Sequence, residues 1–551
     1  MIRKKLKNIY LKENLFYFVS FPILLIIRYQ WTIVSQFRED QSTNLWLAYK
    51  YNILETPVGL LSSKMIPQPN GVIVFGKILT IFNSALSSTL FYSLLQVVLF
   101  YFFLKEITNR PELQKFFFSL LSLSMLMGSS SVEFWNQWTL IQINTLFFIF
   151  FFKYLNSPST NLLLVNVCIA IIPPTIYLAG IANTIIFFTM IFSAFYFVGK
   201  NKSDHSTKYY ILSSIAWLVT IIFIVWIPYL RSLGIERILS VSNLSNFERI
   251  RSSAGSFIRL PVIYFRFWTD NDSFRILQID NRINSNLLLR TYEIFITYHR
   301  LILLLFMLLL VYTFLALIRS RKLITDKKLS IKWLYINFFI MSSVILSPFL
   351  GGPNFSKFQR MDTFVQYYPF FLIIWFLLPF LLISKNNKTI AIQNLFKTIG
   401  AIFIGINVFL TFLVVDEALN YNGNILTESD VPLKNKIEVT NFIASQVDIN
   451  SDKEVSISYF LNGNWGWIPE HSEVFSEWYP EYPFTIGRFF DYQLLNNHSI
   501  KNTLEGNNFR DYSESQFIVS YSFDKTEFLD DDLYKHYYID RLRVSIRNEE
   551  K

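Results

Sequence analysis

Cysteine is almost missing from this chain: Cys168 is the only one in 551 residues. That excludes a disulfide framework and a cysteine-ligated metal. The five histidines, His205, His299, His471, His498 and His536, are too scattered for a zinc signature. Charge is scarce as well, at 16% of residues against 52% hydrophobic and 18% aromatic, which excludes a soluble globular protein of this length. No tandem repeat or low-complexity linker interrupts the chain, so solenoids and flexible arrays are excluded too.

What the chain does have is a series of long apolar runs. About 20 helical residues cross a hydrocarbon core of roughly 30 Å. On that measure the sequence predicts an integral, polytopic α-helical membrane protein with eleven spans, at 15–34, 85–104, 116–130, 139–154, 162–178, 181–198, 210–230, 299–318, 333–350, 365–384 and 396–415. The first run is too long for a signal-peptide core and no small-x-small site follows it, so it reads as an uncleaved span. The basic N-terminus "MIRKKLKNIYLK" is expected inside. Every second loop agrees: "KEITNRPELQK", "KNKSDHSTK", "RSRKLITDKKLSIK" and "SKNNKTI" all fall on the same side. The C-terminus is then extracytoplasmic, and the localisation expected is a plasma (inner) membrane.

The division expected is a membrane part over 1–416, with outer loops at 35–84 and 231–298, and an extracytoplasmic soluble domain over 417–551. That tail carries 23 Asp+Glu against 12 Lys+Arg, a net charge of −11, within a chain of net charge +10. The pI of 9.2 thus reflects topology and not nucleic acid binding. Within the tail, "DVPLKNKIEVTNFIASQV" predicts a helix with Pro432 in its first turn and Leu433, Ile437 and Ile443 on one face. "VSISYF" and "QFIVSYS" predict strands, giving a small α/β domain.

The residues able to carry chemistry lie outside the spans. Glu39 and Asp40 follow the first span in "SQFREDQST", where they either begin a solvated loop or serve as a base. The segment 231–300 contains ten arginines, Arg249, Arg251, Arg259 and Arg266 among them, and no lysine. Guanidinium binds phosphate bidentately, whereas lysine acts as a point charge. Snorkelling from interfacial helices would also account for arginines here. Lys357 and Arg360 precede the tenth expected span and are either phosphate partners or interfacial anchors. A carboxylate beside a cationic outer surface suits transfer of a sugar from a lipid-phosphate donor, with one group activating the acceptor hydroxyl and the others stabilising the departing phosphate.

In architecture the chain resembles the GT-C superfamily of membrane glycosyltransferases, which use polyprenyl-phosphate-linked sugars. The likeness rests on the basic N-terminus, the acidic "FRED" after the first span, the many spans and the outer C-terminal domain. It implies an inverting glycosyltransferase acting on a glycan, lipid or protein acceptor in the bilayer, with Asp40 or Glu39 as catalytic carboxylate. "MIPQPNGVIVFGKIL" resembles a Pro-rich lead into a membrane-surface helix. "SSSVEFWNQWTLIQIN" resembles an acidic-aromatic second outer loop, offering Glu133 as a second carboxylate or else a hydrated turn. The chain departs from the pattern in lacking WWDYG. The "DDD" at 530–532 reads as a solvated turn. The residues fix no cofactor and no metal ligand, although a divalent ion, Mg or Mn, is compatible with the likeness. The competing reading is a transporter or flippase, which should place ionisable residues near the bilayer midplane and show related halves. Apart from Lys153 near a span end, the span interiors read as almost uncharged.

Overall fold

The structure is a computed structural model, and it describes residues 2–35, 37, 39–56, 58–59, 68–82, 84–199, 207–233, 308, 311–313, 315, 318–319, 326–346, 365–381, 387–420, 431–446, 457–460, 515–521, 532–540 and 542–548. It is a helical bundle carrying a small sheet. The bundle helices are α1 (Ile2–Val34), α2 (Glu39–Lys50), α3 (Gly71–Leu79), α4 (Ala85–Ile107), α5 (Pro111–Ser122), α6 (Met125–Ser131), α7 (Asn136–Asn156), α8 (Thr160–Ala170), α9 (Ile181–Ala194), α10 (Thr207–Ile221), α11 (Lys327–Leu346), α12 (Tyr368–Leu377) and α13 (Asn387–Asn420). Four helical stretches are long and apolar enough to cross a membrane: Leu15–Val34, Ala85–Ile107, Trp138–Asn156 and Ile390–Asn420. Their outward residues fit that setting, since Phe18, Ile26 and Phe412 are largely exposed.

Several expected spans take a more broken form. The run 116–130 is divided between α5 and α6, with Leu123 and Ser124 outside both helices. The run 162–178 is likewise interrupted, because Pro173 and Pro174 start a separate short turn after α8. The Pro-rich segment does lead into a short helix, α3.

Hydrogen bonds sort the connections into two ends. At one end, Lys332 Nζ donates to the carbonyls of Glu106 and, at 3.2 Å, Ile107, closing the C-terminus of α4. There too Asn156 Nδ2 donates to the Glu106 carboxylate at 3.1 Å and Arg110 pairs with Asp326 at 3.6 Å. At the other end, Leu178 N–H donates to Gln68 Oε1 at 3.1 Å. Gly71 packs against the Thr175 carbonyl so closely that a side chain would have no room. Between the ends, an aromatic seam of Phe147, Phe187 and Phe339 joins α7, α9 and α11. The Phe147 and Phe187 rings stack at 3.7 Å, and those of Phe187 and Phe339 at 5.4 Å.

The tail helix α14 (Leu433–Gln446) starts just after Pro432 and not one residue before it, so the proline is its lead-in. It packs on a four-stranded sheet of order β1-β2-β4-β3, where the strands are β1 (Ile457–Phe460), β2 (Phe517–Tyr521), β3 (Tyr534–Ile539) and β4 (Leu542–Arg547). β1 and β2 run parallel and the other pairs antiparallel. Phe442 of α14 meets Tyr537 of β3 with ring centroids 4.9 Å apart.

Candidate functional site

The connection after α1 is shaped by the way that helix ends. Ser35 Oγ accepts from Phe37 N–H at 3.2 Å, and Phe37 adopts φ 42°, a left-handed conformation that an aromatic residue rarely takes. The chain then re-enters a helix at once, so Glu39 and Asp40 are the first two residues of α2. Carboxylates in a first helical turn are favoured by the helix macrodipole.

At the next position, Gln41 Nε2 donates to the Val132 carbonyl at 2.7 Å. Val132 directly precedes Glu133, so this bond joins the two acidic segments that lie far apart in sequence. Glu133 is only 4% exposed. The hydrated-turn reading therefore does not hold for it. Its carboxylate interacts electrostatically with the Tyr92 phenol, whose hydroxyl lies 3.2 Å from Thr139 Oγ1.

Short helix α6, which delivers Glu133, is held at both ends by other helices. At its start, Asn407 Oδ1 of α13 accepts from Met125 N–H at 2.9 Å. At its end lies Arg28 of α1, fully buried. Arg28 Nη1 donates to the Met127 carbonyl at 2.6 Å and to Ser131 Oγ at 2.5 Å, and Nη2 donates to the Ser122 carbonyl, the last of α5, at 3.1 Å. None of the ion pairs among the described residues involves Arg28. Its charge is met by carbonyl dipoles at the α5–α6 break and by the Ser131 hydroxyl. The span interior is thus not uncharged, which corrects the sequence-based reading. An ionisable residue within "PILLIIRYQWTIV" was the signal that could have found it.

A second group also escaped the sequence. Asn44, on α2, is fully buried, and among the described residues neither its Nδ2 nor its Oδ1 has a hydrogen-bond partner. Asn136 Oδ1 and Trp138 Nε1, at the start of α7, are likewise buried and unpartnered. Leaving such a group unpaired costs roughly 1–3 kcal/mol. Nearby, an added Cβ at Gly76 would sit 3.0 Å from Ala48 Cβ, 3.3 Å from the Phe134 ring and 3.5 Å from the Asn44 carbonyl oxygen, so α2, α3 and the Glu133–Trp135 turn meet at one point.

Beyond α2, the Glu55 carboxylate accepts from the Asn52 backbone N–H at 2.9 Å, and that bond holds its pKa below the usual carboxylate range. Burial of the Lys77 stem on α3 lowers its ammonium pKa, while Glu55 opposes the shift.

The tail reaches this site directly. Leu433 N–H donates to the Ser35 carbonyl at 2.8 Å, and Lys436 Nζ to the Phe37 carbonyl at 3.4 Å.

The structure therefore brings Glu39, Asp40 and Glu133 to one end of the bundle. The side chains of Glu39 and Asp40, and Arg249, Arg251, Arg259, Arg266, Lys357 and Arg360 altogether, lie outside the described residues. Among the described residues no group of three or more His, Cys, Asp or Glu could hold a metal ion. Comparison of the chain with known protein families and with curated proteins finds no match to either.

Proposed function

We propose that the protein is an integral membrane glycosyltransferase that moves a sugar from a polyprenyl-phosphate donor to a glycan, lipid or protein acceptor on the extracytoplasmic face. The observation that carries this reading is the Gln41–Val132 hydrogen bond, which sets the acidic start of α2 beside the buried Glu133. In the reaction, Asp40 takes the proton of the acceptor hydroxyl as that oxygen attacks the anomeric carbon. The bond from that carbon to the phosphate oxygen breaks, a glycosidic bond forms with inversion, and polyprenyl phosphate leaves. Glu39 is the alternative base and Glu133 a second carboxylate. Arginines of 231–300, with Lys357 or Arg360, would hold the phosphate. In this reading the chain crosses a plasma membrane eleven times and the tail, lying beside the acidic loop, selects the acceptor.

The test is label transfer by the purified, lipid-reconstituted protein from radiolabelled polyprenyl-phosphate sugars to a membrane extract. Transfer by the wild type that disappears in folded Asp40→Asn supports the assignment. Transfer that survives Asp40→Asn moves the role of base to Glu39 or Glu133.

Buried Arg28 favours a second reading, a transporter or flippase of a lipid-linked or anionic substrate, because charge within a span commonly marks a translocation path. Movement of a labelled lipid across vesicle leaflets, without donor consumption, would decide for it.

A further inference from the structure

The unpartnered polar groups around Phe134 are what the acidic site alone leaves unexplained. Asn44 follows Gln41 by three residues on α2, so both point from the same side of the helix. Gln41 reaches Val132, and the Asn44 backbone and the Phe134 ring approach the same point beside Gly76. Phe134 in turn packs edge-on against Tyr92 at 5.4 Å, and beside it Phe75 lies 5.9 Å from Phe134 and 6.1 Å from Tyr92. On α7, Trp138 and Gln142 are one turn apart, and Gln142 Nε2 donates to the Tyr92 carbonyl at 3.2 Å while its Oε1 is left unpartnered. On α2 and the start of α7, the elements that flank Phe134 and Tyr92, unpartnered carboxamide oxygens stand at Asn44, Asn136 and Gln142. Unpartnered donors stand there too, at Asn44 Nδ2 and Trp138 Nε1.

Buried polar groups in native proteins find partners, and among the described residues neither backbone nor side chain supplies them. Alternating donors and acceptors set among aromatic faces match a polyhydroxylated ring, whose hydroxyls both donate and accept. The Glu133 carboxylate directly precedes Phe134 in the chain and acts electrostatically on Tyr92. An acidic ring would meet repulsion there, whereas a neutral one would not.

We propose that Asn44, Asn136 and Trp138 form a subsite for a neutral sugar ring, discriminating against uronic acids and other anionic sugars. This rests on the transferase reading above, and it adds a specificity that the acidic loop does not contain.

The experiment measures equilibrium binding to the full chain in lipid nanodiscs. The probes are a short-chain polyprenyl phosphate, its mannosyl, glucosyl and galactosyl derivatives, and its glucuronosyl derivative. At least one neutral sugar should bind about tenfold more tightly than the bare lipid phosphate, with no such gain for glucuronate. Asn44→Leu, of similar volume but without the amide, should erase most of that gain and leave affinity for the bare lipid phosphate unchanged. Trp138→Phe keeps an aromatic ring, removes the N–H, and carries the same test should Asn44→Leu fail to fold. A gain that persists in the folded variants overturns the subsite, as does equal loss for bare and glycosylated lipid or a preference for glucuronate. A wild type that binds bare lipid phosphate but gains nothing from any neutral sugar overturns the subsite alone. Failure to bind any of the lipid phosphates overturns the transferase reading with it.

Discussion

Lys436 Nζ donates to the Phe37 carbonyl at 3.4 Å, joining residues 399 positions apart in the chain. The acceptor belongs to Phe37, left-handed between α1 and α2, so the tail helix holds the backbone conformation that aims the start of α2. Such a conformation costs about 1–3 kcal/mol and persists only where neighbours enforce it. Lys436 is nearly fully buried, and a hydrogen bond from a charged donor contributes about 1.5–3 kcal/mol. Lys436→Met should therefore raise amide exchange over residues 37–45 by about tenfold or more, with β2 and β4 unaffected. Unchanged protection of that stretch would show that the tail does not hold the loop.

Gly128 faces Trp31 so closely that a Cβ would overlap the indole. Trp31 is 1% exposed, so the indole is enclosed by the bundle. Gly128→Ala should destabilise the protein by about 1–3 kcal/mol, as overpacking of a filled interior does. Thermal unfolding in detergent reads this. A midpoint equal to that of the wild type would show that α1 and α6 can separate without cost.

Much of this arrangement was legible in the sequence because apolar runs report helices directly. The helices α1, α4, α7 and α13 stand where hydropathy places them, and the tail helix and first two strands follow from their periodicity. The hairpin of β3 and β4 was missed although Leu542, Val544 and Ile546 alternate. Its turn uses Asp540 at φ 50° where a glycine would have announced it. The Gln41–Val132 bond was illegible for a different reason, since nothing local pairs a side-chain amide with a backbone carbonyl 91 positions away. Asn44 was also illegible, because a buried unpartnered amide is a property of packing and not of composition. The break between α5 and α6 left a trace in the shortness of the expected span, but its cause is a guanidinium arriving from another helix.

Glu55 gives the first loop a pH response whose sign can be worked out. Its carboxyl accepts from Asn52 N–H, so its pKa in the folded chain is depressed below the unfolded value. The contribution is present above the unfolded pKa and is lost as pH falls through the folded one. Protection of the 52–56 turn, corrected for intrinsic exchange, should therefore fall on acidification below the ordinary carboxylate range. Glu55→Gln should remove that dependence. A turn whose protection stays flat with pH in the wild type would contradict the cap.

Arg28 poses a contest between two costs. Arg28→Met removes a buried charge, and replacing buried charge by an apolar side chain is often neutral or stabilising. Against that, the substitution removes three charge-assisted hydrogen bonds, to the Met127 and Ser122 carbonyls and to the Ser131 hydroxyl, of which Met127 keeps Ser130 Oγ and Ser131 keeps Ser93 Oγ as partners. At about 1.5–3 kcal/mol for a hydrogen bond from a charged donor, the three lost bonds outweigh the gain. Arg28→Met should therefore unfold at lower temperature, by an amount equivalent to a few kcal/mol. Arg28→Lys keeps the charge but cannot reach both helix ends with one ammonium, so it should fall between Met and wild type. Because α6 leads to Glu133, the same series should order amide protection at residues 125–135 as Arg, then Lys, then Met. Should Arg28→Met instead match or exceed the wild type in stability, the guanidinium is held at the helix break for a purpose other than joining it. The transport reading would then gain its first functional residue.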